Sequence, residues 1–361
     1  MRILLTGHEG YIGSVAVSIL QAAGHEVVGL DTGLFEGCDF GGLGPQVPVI
    51  RKDLRDLTKG DLTGFDGVFH LGALSNDPLG NLDPKLTYDI NHLSSAHLAR
   101  LAKAAGVQRF VFSSSCSTYG AAGDDLLDEQ AVLNPVTAYG ESKVLAERDI
   151  SSLADDSFSP TFMRNATAYG VSPRLRLDIV LNDLVASAFT TGKVSIKSDG
   201  TPWRPIVHIR DIIAAALAVL EAPREAVHNQ TFNVGRTDQN FRISELATIV
   251  AETVPACQIE YARDGGPDTR CYRVNCDKIR RLVPSFQPQW TARQGAQELY
   301  QAYRAMRLTR KDLEERKYIR MAHIQRLLDA GLLDNSLRWS LPKDGNRFLN
   351  MSADDSGKQP H

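Results

Sequence analysis

Thr6-Gly7-His8-Glu9-Gly10-Tyr11-Ile12-Gly13 decides how this chain is read. It follows a short apolar strand, Arg2 to Leu5, and opens a helix whose Val15, Ile19 and Leu20 recur at helical spacing. Glycines let the backbone approach a pyrophosphate closely, and free N–H groups at a helix N-terminus complement its charge. The spacing is Gly-x-x-Gly-x-x-Gly, which context strengthens. A second strand, Glu26-Val27-Val28-Gly29-Leu30, ends at Asp31. A carboxylate at that strand tip can accept hydrogen bonds from an adenosine ribose diol and repel a 2′-phosphate.

The 361 residues suffice for a large core, in one big domain or two. A net charge of -3 gives no basic footprint for nucleic acid or a membrane surface. The longest apolar run, Ile212 to Leu220, stops at Glu221, far short of the ~20 residues that span a bilayer. Met1 to Leu5 is too short for a signal-peptide core. Five cysteines without a Cys-x-x-Cys pair predict reduced thiols, no metal site and a cytoplasmic home.

Strands and helices alternate through residues 1–120. Val47 to Ile50 reads as a third strand leading to Asp53 and Leu54, where the carboxylate meets an adenine amino group or caps a helix. Gly67 to Ala73 reads as a strand buried on both faces, ending in Leu71, Gly72 and Ala73 beside a ligand. Asn91 falls on a predicted helix, Leu86 to Ala104, where a lone Asn usually faces solvent. Phe110 to Phe112 is another buried strand, ending in the hydroxyl-rich run Ser113-Ser114-Ser115-Cys116-Ser117. Ligands bind at that edge of an open α/β sheet.

Tyr139-Gly140-Glu141-Ser142-Lys143 follows. On a helix, Tyr139 and Lys143 share a face. A phenol, with pKa about 10, is a poor base near neutrality, and a neighbouring ammonium stabilises its anion. Ser115 could then hold a substrate oxygen while Tyr139 exchanges its proton.

This set resembles the extended short-chain dehydrogenase/reductases of the nucleotide-sugar type, the epimerase/dehydratase group around UDP-galactose 4-epimerase, over residues 1 to about 300. The resemblance implies a Rossmann-type doubly wound α/β sheet with a smaller C-terminal α/β substrate lobe. By it, Gly7, Gly10, Tyr11, Ile12 and Gly13 hold the pyrophosphate of NAD, and Asp31 holds its ribose. Asp53, Leu54, Leu71, Gly72, Ala73, Asn91, Ser113 and Asn165 complete the cofactor site, and Ser115, Tyr139 and Lys143 are the catalytic triad. The domains implied are 1–170 for NAD, with part of 205–240 returning to it, 171–300 for the nucleotide sugar, and 301–361 as a helical extension and polar tail.

The resemblance places Ser75, Ser117, Thr167, Arg174, Asn182, Leu184, Arg204, Asp268 and Tyr272 against the substrate. Thr167 stands where relatives usually carry Asn. Arg174 and Arg176 are cations near the pocket or a solvated loop. Arg204 suits a diphosphate, since a guanidinium binds it bidentately. Gly265 replaces a usual arginine, for which Arg263 could substitute. His208 and Asp211 read as helix-positioning residues. Leu308 to Leu333 reads as an amphipathic packing helix, and Ser352 to His361 as a polar tail. A homodimer through helices Leu86–Ala104 and Tyr139–Ser151 is also implied.

Dehydratase relatives place Asp-Glu directly after the Ser/Thr. Here Cys116 and Ser117 occupy those positions. The expected reaction is therefore 4-epimerisation of a nucleotide sugar through a 4-keto sugar, with net 4-oxidoreduction or 4,6-dehydration as alternatives. Cys116 reads as a packed thiol.

Overall fold

Seven strands form one parallel sheet, and their order fixes where a ligand can bind. They are β1 (Arg2–Thr6), β2 (Glu26–Leu30), β3 (Val49–Ile50), β4 (Gly67–His70), β5 (Arg109–Ser115), β6 (Ser159–Asn165) and β7 (Gln230–Val234). In space they run β3-β2-β1-β4-β5-β6-β7. Ile3 of β1 lies opposite Val27 on one side and Gly67 on the other. The chain changes direction across the sheet between β1 and β4, and the crevice outside that switch point is the ligand site of doubly wound sheets. The computed structural model describes residues 1–42, 44–261 and 271–340.

Period-two alternation sends β1 side chains into two cores. Ile3 and Leu5 join Val15 and Leu20 of α1 (Gly13–Ala22) on one face. Leu4 joins Leu98 of α2 (Ser94–Ala104) and Ile150 of α3 (Ala138–Ser151) on the other. The helix α4 (Ile209–Glu221) buries Ile212, Ile213 and Ala216 in the first core, and β7 then forms the edge of the large sheet. A second lobe has its own core, with Leu181, Val185, Leu246, Val250 and Leu299 packed together. His208 caps α4, accepting from the Arg210 N–H, and Asp211 accepts the N–H groups of Gln289 and Trp290. No helix among the described residues is long and apolar enough to cross a membrane.

Three expectations are corrected. The fourth strand stops at His70 rather than Ala73, because Thr6 Oγ1 captures the N–H groups of Leu71 and Gly72 at 3.1 and 3.0 Å. The helix expected over Leu86–Ala104 begins instead with Pro84–Thr87, widens into a π-type turn at Tyr88–Leu93 and only then becomes α2. That wide turn aims Asn91 inward, where it is fully buried. The expected Leu308–Leu333 helix is two short ones, Arg310–Glu314 and α5 (Arg320–Asp329). Between them the chain reverses through Arg316 at φ 53°. The α5 side chains Ile324 and Leu327, with Leu333, pack on Leu74, Leu79 and Leu86. Arg263, Gly265, Asp268 and the 352–361 tail lie outside the described residues.

A buried relay sets the end of β4. The Thr6 hydroxyl donates to His70 Nδ1 at 2.6 Å, His70 Nε2 donates to Ser95 Oγ at 2.8 Å, and Ser95 donates to the Asn91 carbonyl at 2.5 Å. Since Thr6 Oγ1 already accepts two amides, its proton must point at His70, which fixes the neutral Nε2–H tautomer. Burial holds the His70 imidazole down at about 3, against an ordinary value of 6.5. The unfolded chain therefore binds the extra proton between those values, and stability falls as pH drops through that window. Chemical denaturation at a series of pH values is expected to give a shallower acid slope for His70→Leu than for wild type. The variant should lose about 1–3 kcal/mol at neutral pH, because Thr6 and Ser95 then lack partners.

Candidate active site

The crevice at the switch point is a cavity of about 360 Å³. The glycine turn forms its floor. Gly7 has φ +69°, and a Cβ there would sit 3.0 Å from the Gly72 nitrogen; one on Gly13 would lie 2.1 Å from the Gly7 carbonyl. Only bare backbone fits, and no side chain caps the first turn of α1. Those N–H groups suit an anion. Asp31, at the tip of β2, accepts the Glu9 and Gly33 amides at 3.0 and 2.8 Å. Burial and the nearby Glu9 push its carboxyl up. Asp53 lines the cavity while capping a 3₁₀ turn through the Arg55 N–H and pairing with the Arg55 guanidinium at 2.7 Å.

The end of β5 and the start of α3 form another wall. Thr137 caps α3, accepting the Gly140 N–H. Tyr139 in the first turn and Lys143 one turn later both line the cavity, and so does Ser115. The Ser115 hydroxyl lies 2.7 Å from Ser117 Oγ and is close enough to Tyr139 to favour its phenolate. Lys143 Nζ donates to the Ser113 carbonyl at 2.8 Å and sits 5.9 Å from the Tyr139 ring centroid.

The electrostatics correct the expectation of an acidified phenol. Burial pushes Tyr139 up to about 12, and the nearby Ser115 hydroxyl only partly offsets it. Burial pulls Lys143 down to about 7. In the protein alone desolvation outweighs the ammonium, whose hydrogen bond goes to the Ser113 carbonyl.

Asn165 carries an unused acceptor. Its Nδ2 donates to Ser113 Oγ and to the Ser114 carbonyl, at 2.9 and 3.3 Å, which fixes the amide orientation. That leaves Oδ1 buried with no partner, on the cavity wall. A carboxamide NH₂ is a donor of the matching kind.

Leu54, Leu71, Gly72, Ala73, Ser75, Ser113, Ser117, Thr167, Arg204 and Tyr272 also line the cavity, as does Arg176. Four expected site residues are placed off its wall. Asn91 instead clips the loop after β4, accepting the Leu74 N–H at 2.8 Å and donating to the Leu74 carbonyl and Ser142 Oγ. Asn182 accepts the Gly170 N–H and donates to the Tyr11 hydroxyl and the Arg176 carbonyl. Leu184 is in the core of the second lobe. Arg174 is buried against Asp39. Neither Arg174 nor Arg176 is solvated; Arg176 pairs with Asp178 at 2.8 Å.

Sequence reading passed over Phe35, Asp77, Asp178 and Arg320, all on the wall. Only Arg320 left a signal, a charge set among the apolar residues of a helical stripe. Among the described residues no cluster of three His, Cys, Asp or Glu could hold a metal ion.

The model of the NAD dependent epimerase/dehydratase family matches residues 3–235. A UDP-glucose 4-epimerase of Lactobacillus helveticus is 30% identical over 298 residues, covering 74% of this chain and 87% of that protein. UDP-glucuronic acid decarboxylase 4 of Arabidopsis thaliana is 26% identical over 310 residues, covering 82% and 67%. The structure of a UDP-glucose-4-epimerase from Stenotrophomonas maltophila, with bound NAD and formylated UDP-arabinopyranose, has a TM-score of 0.74 at 25% identity. It covers 85% of this chain and 99% of that one. The cofactor is NAD, and the cradle, Asp31 and the spare Asn165 acceptor fit it.

Lys143 gives a stability test. Its folded value lies below the ordinary 10.5, so the unfolded chain binds more protons between about 7 and 10.5 and wild-type stability rises with pH there. Lys143→Met, stripped of dinucleotide, is expected to be more stable than wild type at about pH 6, the gap closing toward about pH 10. Urea denaturation at both pH values measures it; a variant weaker than wild type at the lower pH contradicts the desolvation argument.

Proposed function

The chain belongs to the NAD dependent epimerase/dehydratase family, and from that premise we propose that it is a nucleotide-sugar 4-epimerase. The observation that carries this reading is the convergence of Ser115, Tyr139 and Lys143 on one cavity, with no acid or base at the two positions after Ser115. Cys116 is fully buried, its thiol donating to the Arg164 carbonyl at 3.1 Å, and burial pushes that thiol far up. Ser117 is an un-ionised hydroxyl bonded to Ser115. Neither residue offers the acid or base that would eliminate water from the keto sugar.

Each residue has a role. Ser115 orients the C4 oxygen of the sugar by hydrogen bonding. Tyr139 Oη takes the proton of that hydroxyl and later gives it back. Lys143 holds the Ser113 carbonyl and adds positive charge beside the phenol. Bound NAD supplies a reversible hydride acceptor. Thr167, Arg204 and Tyr272 are proposed to hold the diphosphate and sugar, and Asp31 the adenosine ribose. Everything removed from the sugar returns to it, so the only net change is the configuration at C4.

One observation favours a second reading. Asp77 lines the same cavity, accepts the Thr137 hydroxyl at 2.6 Å and acts on Tyr139 through its charge. A carboxylate so placed could serve a dehydration of the keto sugar.

Incubation with UDP-glucose and UDP-galactose, without added NAD, separates the readings. The expected product is the C4 epimer, at constant NADH absorbance. Loss of water by mass spectrometry would favour dehydration, and stoichiometric NADH would favour net oxidoreduction. No C4 epimer from any nucleotide sugar overturns the proposal. Tyr139→Phe is expected to lower turnover by roughly 10²–10⁴ while NAD still co-purifies.

A homodimer through the Leu86–Ala104 and Tyr139–Ser151 segments belongs to the same proposal, supported by Leu93, which is 52% exposed there. Leu93→Glu is expected to shift the light-scattering mass from dimer to monomer.

A further inference from the structure

The segment after residue 317 closes one wall of the cavity. Leu177 N–H donates to the Tyr318 carbonyl at 3.0 Å, and Tyr318 donates to the Asp39 carbonyl. His323 Nε2 donates to the Leu34 carbonyl at 2.8 Å, and Trp339 Nε1 to the Thr32 carbonyl at 2.8 Å. These bonds seat α5 over the loop that follows Asp31. They bring Arg320 to the cavity wall.

The environment of Arg320 is unusual for a cation. The residue is 2% exposed. Its guanidinium lies 4.4 Å over the Phe35 ring, and Nη2 donates to the Arg174 carbonyl at 2.8 Å. Nη1 is buried with no hydrogen-bond partner. The nearby carboxylates are committed: Asp39 to Arg174 and Asp178 to Arg176. Asp178 accepts the Arg320 backbone N–H at 3.4 Å, and its charge favours the guanidinium from beyond ion-pair distance. The buried Cys38 thiol is a polar neighbour whose sulfur interacts with the Arg320 guanidinium, but desolvation pushes the thiol up and keeps it neutral, so it supplies no counter-charge. Burial holds the Arg320 guanidinium at about 10, so it is charged at neutral pH. A buried, charged donor with no ion-pair contact and one unsatisfied N–H is costly, and an arriving anion would relieve that cost.

We infer that Arg320 is a binding residue for the diphosphate bridge of the dinucleotide, contributed by the C-terminal segment and not by the glycine turn. The inference rests on the cavity being the NAD site. Stacking on Phe35, four residues after Asp31, puts Arg320 against the dinucleotide side of the cavity. A planar guanidinium with a spare N–H matches a phosphate oxygen, and removing one charge-assisted hydrogen bond of this kind costs roughly 10- to 100-fold in affinity.

The experiment uses the full chain stripped of NAD, as wild type, Arg320→Met and Arg320→Lys, with adenosine, ADP-ribose and UDP as calorimetric probes. Arg320→Met is expected to lose roughly 10- to 100-fold in ADP-ribose affinity, with adenosine and UDP unchanged. Arg320→Lys is expected to recover part of the loss. Equal losses for adenosine and ADP-ribose would mean a structural role and overturn the inference. A loss confined to UDP would assign the cation to the substrate diphosphate and overturn it as well. Should Arg320→Met not fold, the Lys variant decides. Its fork is gone but its charge remains, so unchanged ADP-ribose binding overturns the inference. Wild type that binds no ADP-ribose removes the dinucleotide reading itself, an outcome distinct from a wild type that binds while the variants match it.

Discussion

One buried hydroxyl, Thr6 Oγ1, holds the crevice open. It accepts the amides of Leu71 and Gly72 and so ends β4 where the sheet changes direction. Its proton is committed to His70, whose other nitrogen is committed to Ser95, and Ser95 to the carbonyl of Asn91. Every member of this relay is buried and satisfied, which makes the arrangement rigid and intolerant of partial change. The relay brings the loop after β4 within reach of Gly7, where a single Cβ would collide with Gly72. The ligand cavity is the space this contact leaves beside it.

Burial is the second governing constraint, and it works in opposite senses on different groups. The carboxylate of Glu147 meets Arg164 at 2.7 Å and receives the Ser114 hydroxyl, so that inner pair is compensated. Lys143 and Arg320 are not compensated by any described carboxylate at ion-pair distance. Both sit on the cavity wall, where desolvation opposes their charge. Both groups therefore depend on what occupies the cavity more than on any protein carboxylate in contact with them. Tyr139 shows the reverse: the same dry surroundings disfavour phenolate.

The cavity is assembled from chain segments far apart in sequence. The glycine turn, the loop at Phe35, the hydroxyl run at Ser113 to Ser117, the α3 turn, the Thr167 strand and the α5 extension each supply part of the wall. The extension does more than pack. Its apolar residues cover Leu74, Leu79 and Leu86, and its one buried arginine reaches the ligand space.

By itself the sequence determined the large sheet and pointed to the Ser115, Tyr139 and Lys143 grouping that lines the cavity. Both are written in local patterns: apolar runs of strand length, a glycine spacing, an acidic strand tip, and a Tyr and Lys one helical turn apart. Those patterns depend on neighbours within a few residues, so they survive without knowledge of the fold. What only the tertiary structure decided are the long-range contacts and everything desolvation controls. Asn91 looked solvent-facing because a regular helix would expose it, and a π-type turn buried it instead. Arg174 and Arg176 looked alike in sequence, yet one pairs with Asp39 behind the wall and the other stands on it beside Asp178. The C-terminal stretch showed an apolar stripe but not its docking partner, so Arg320 could be seen as a charge within a helix and not as part of a cavity. The Tyr139–Lys143 spacing was plain, but the direction of their proton affinities was not, because it is set by how much water the folded chain removes from around them.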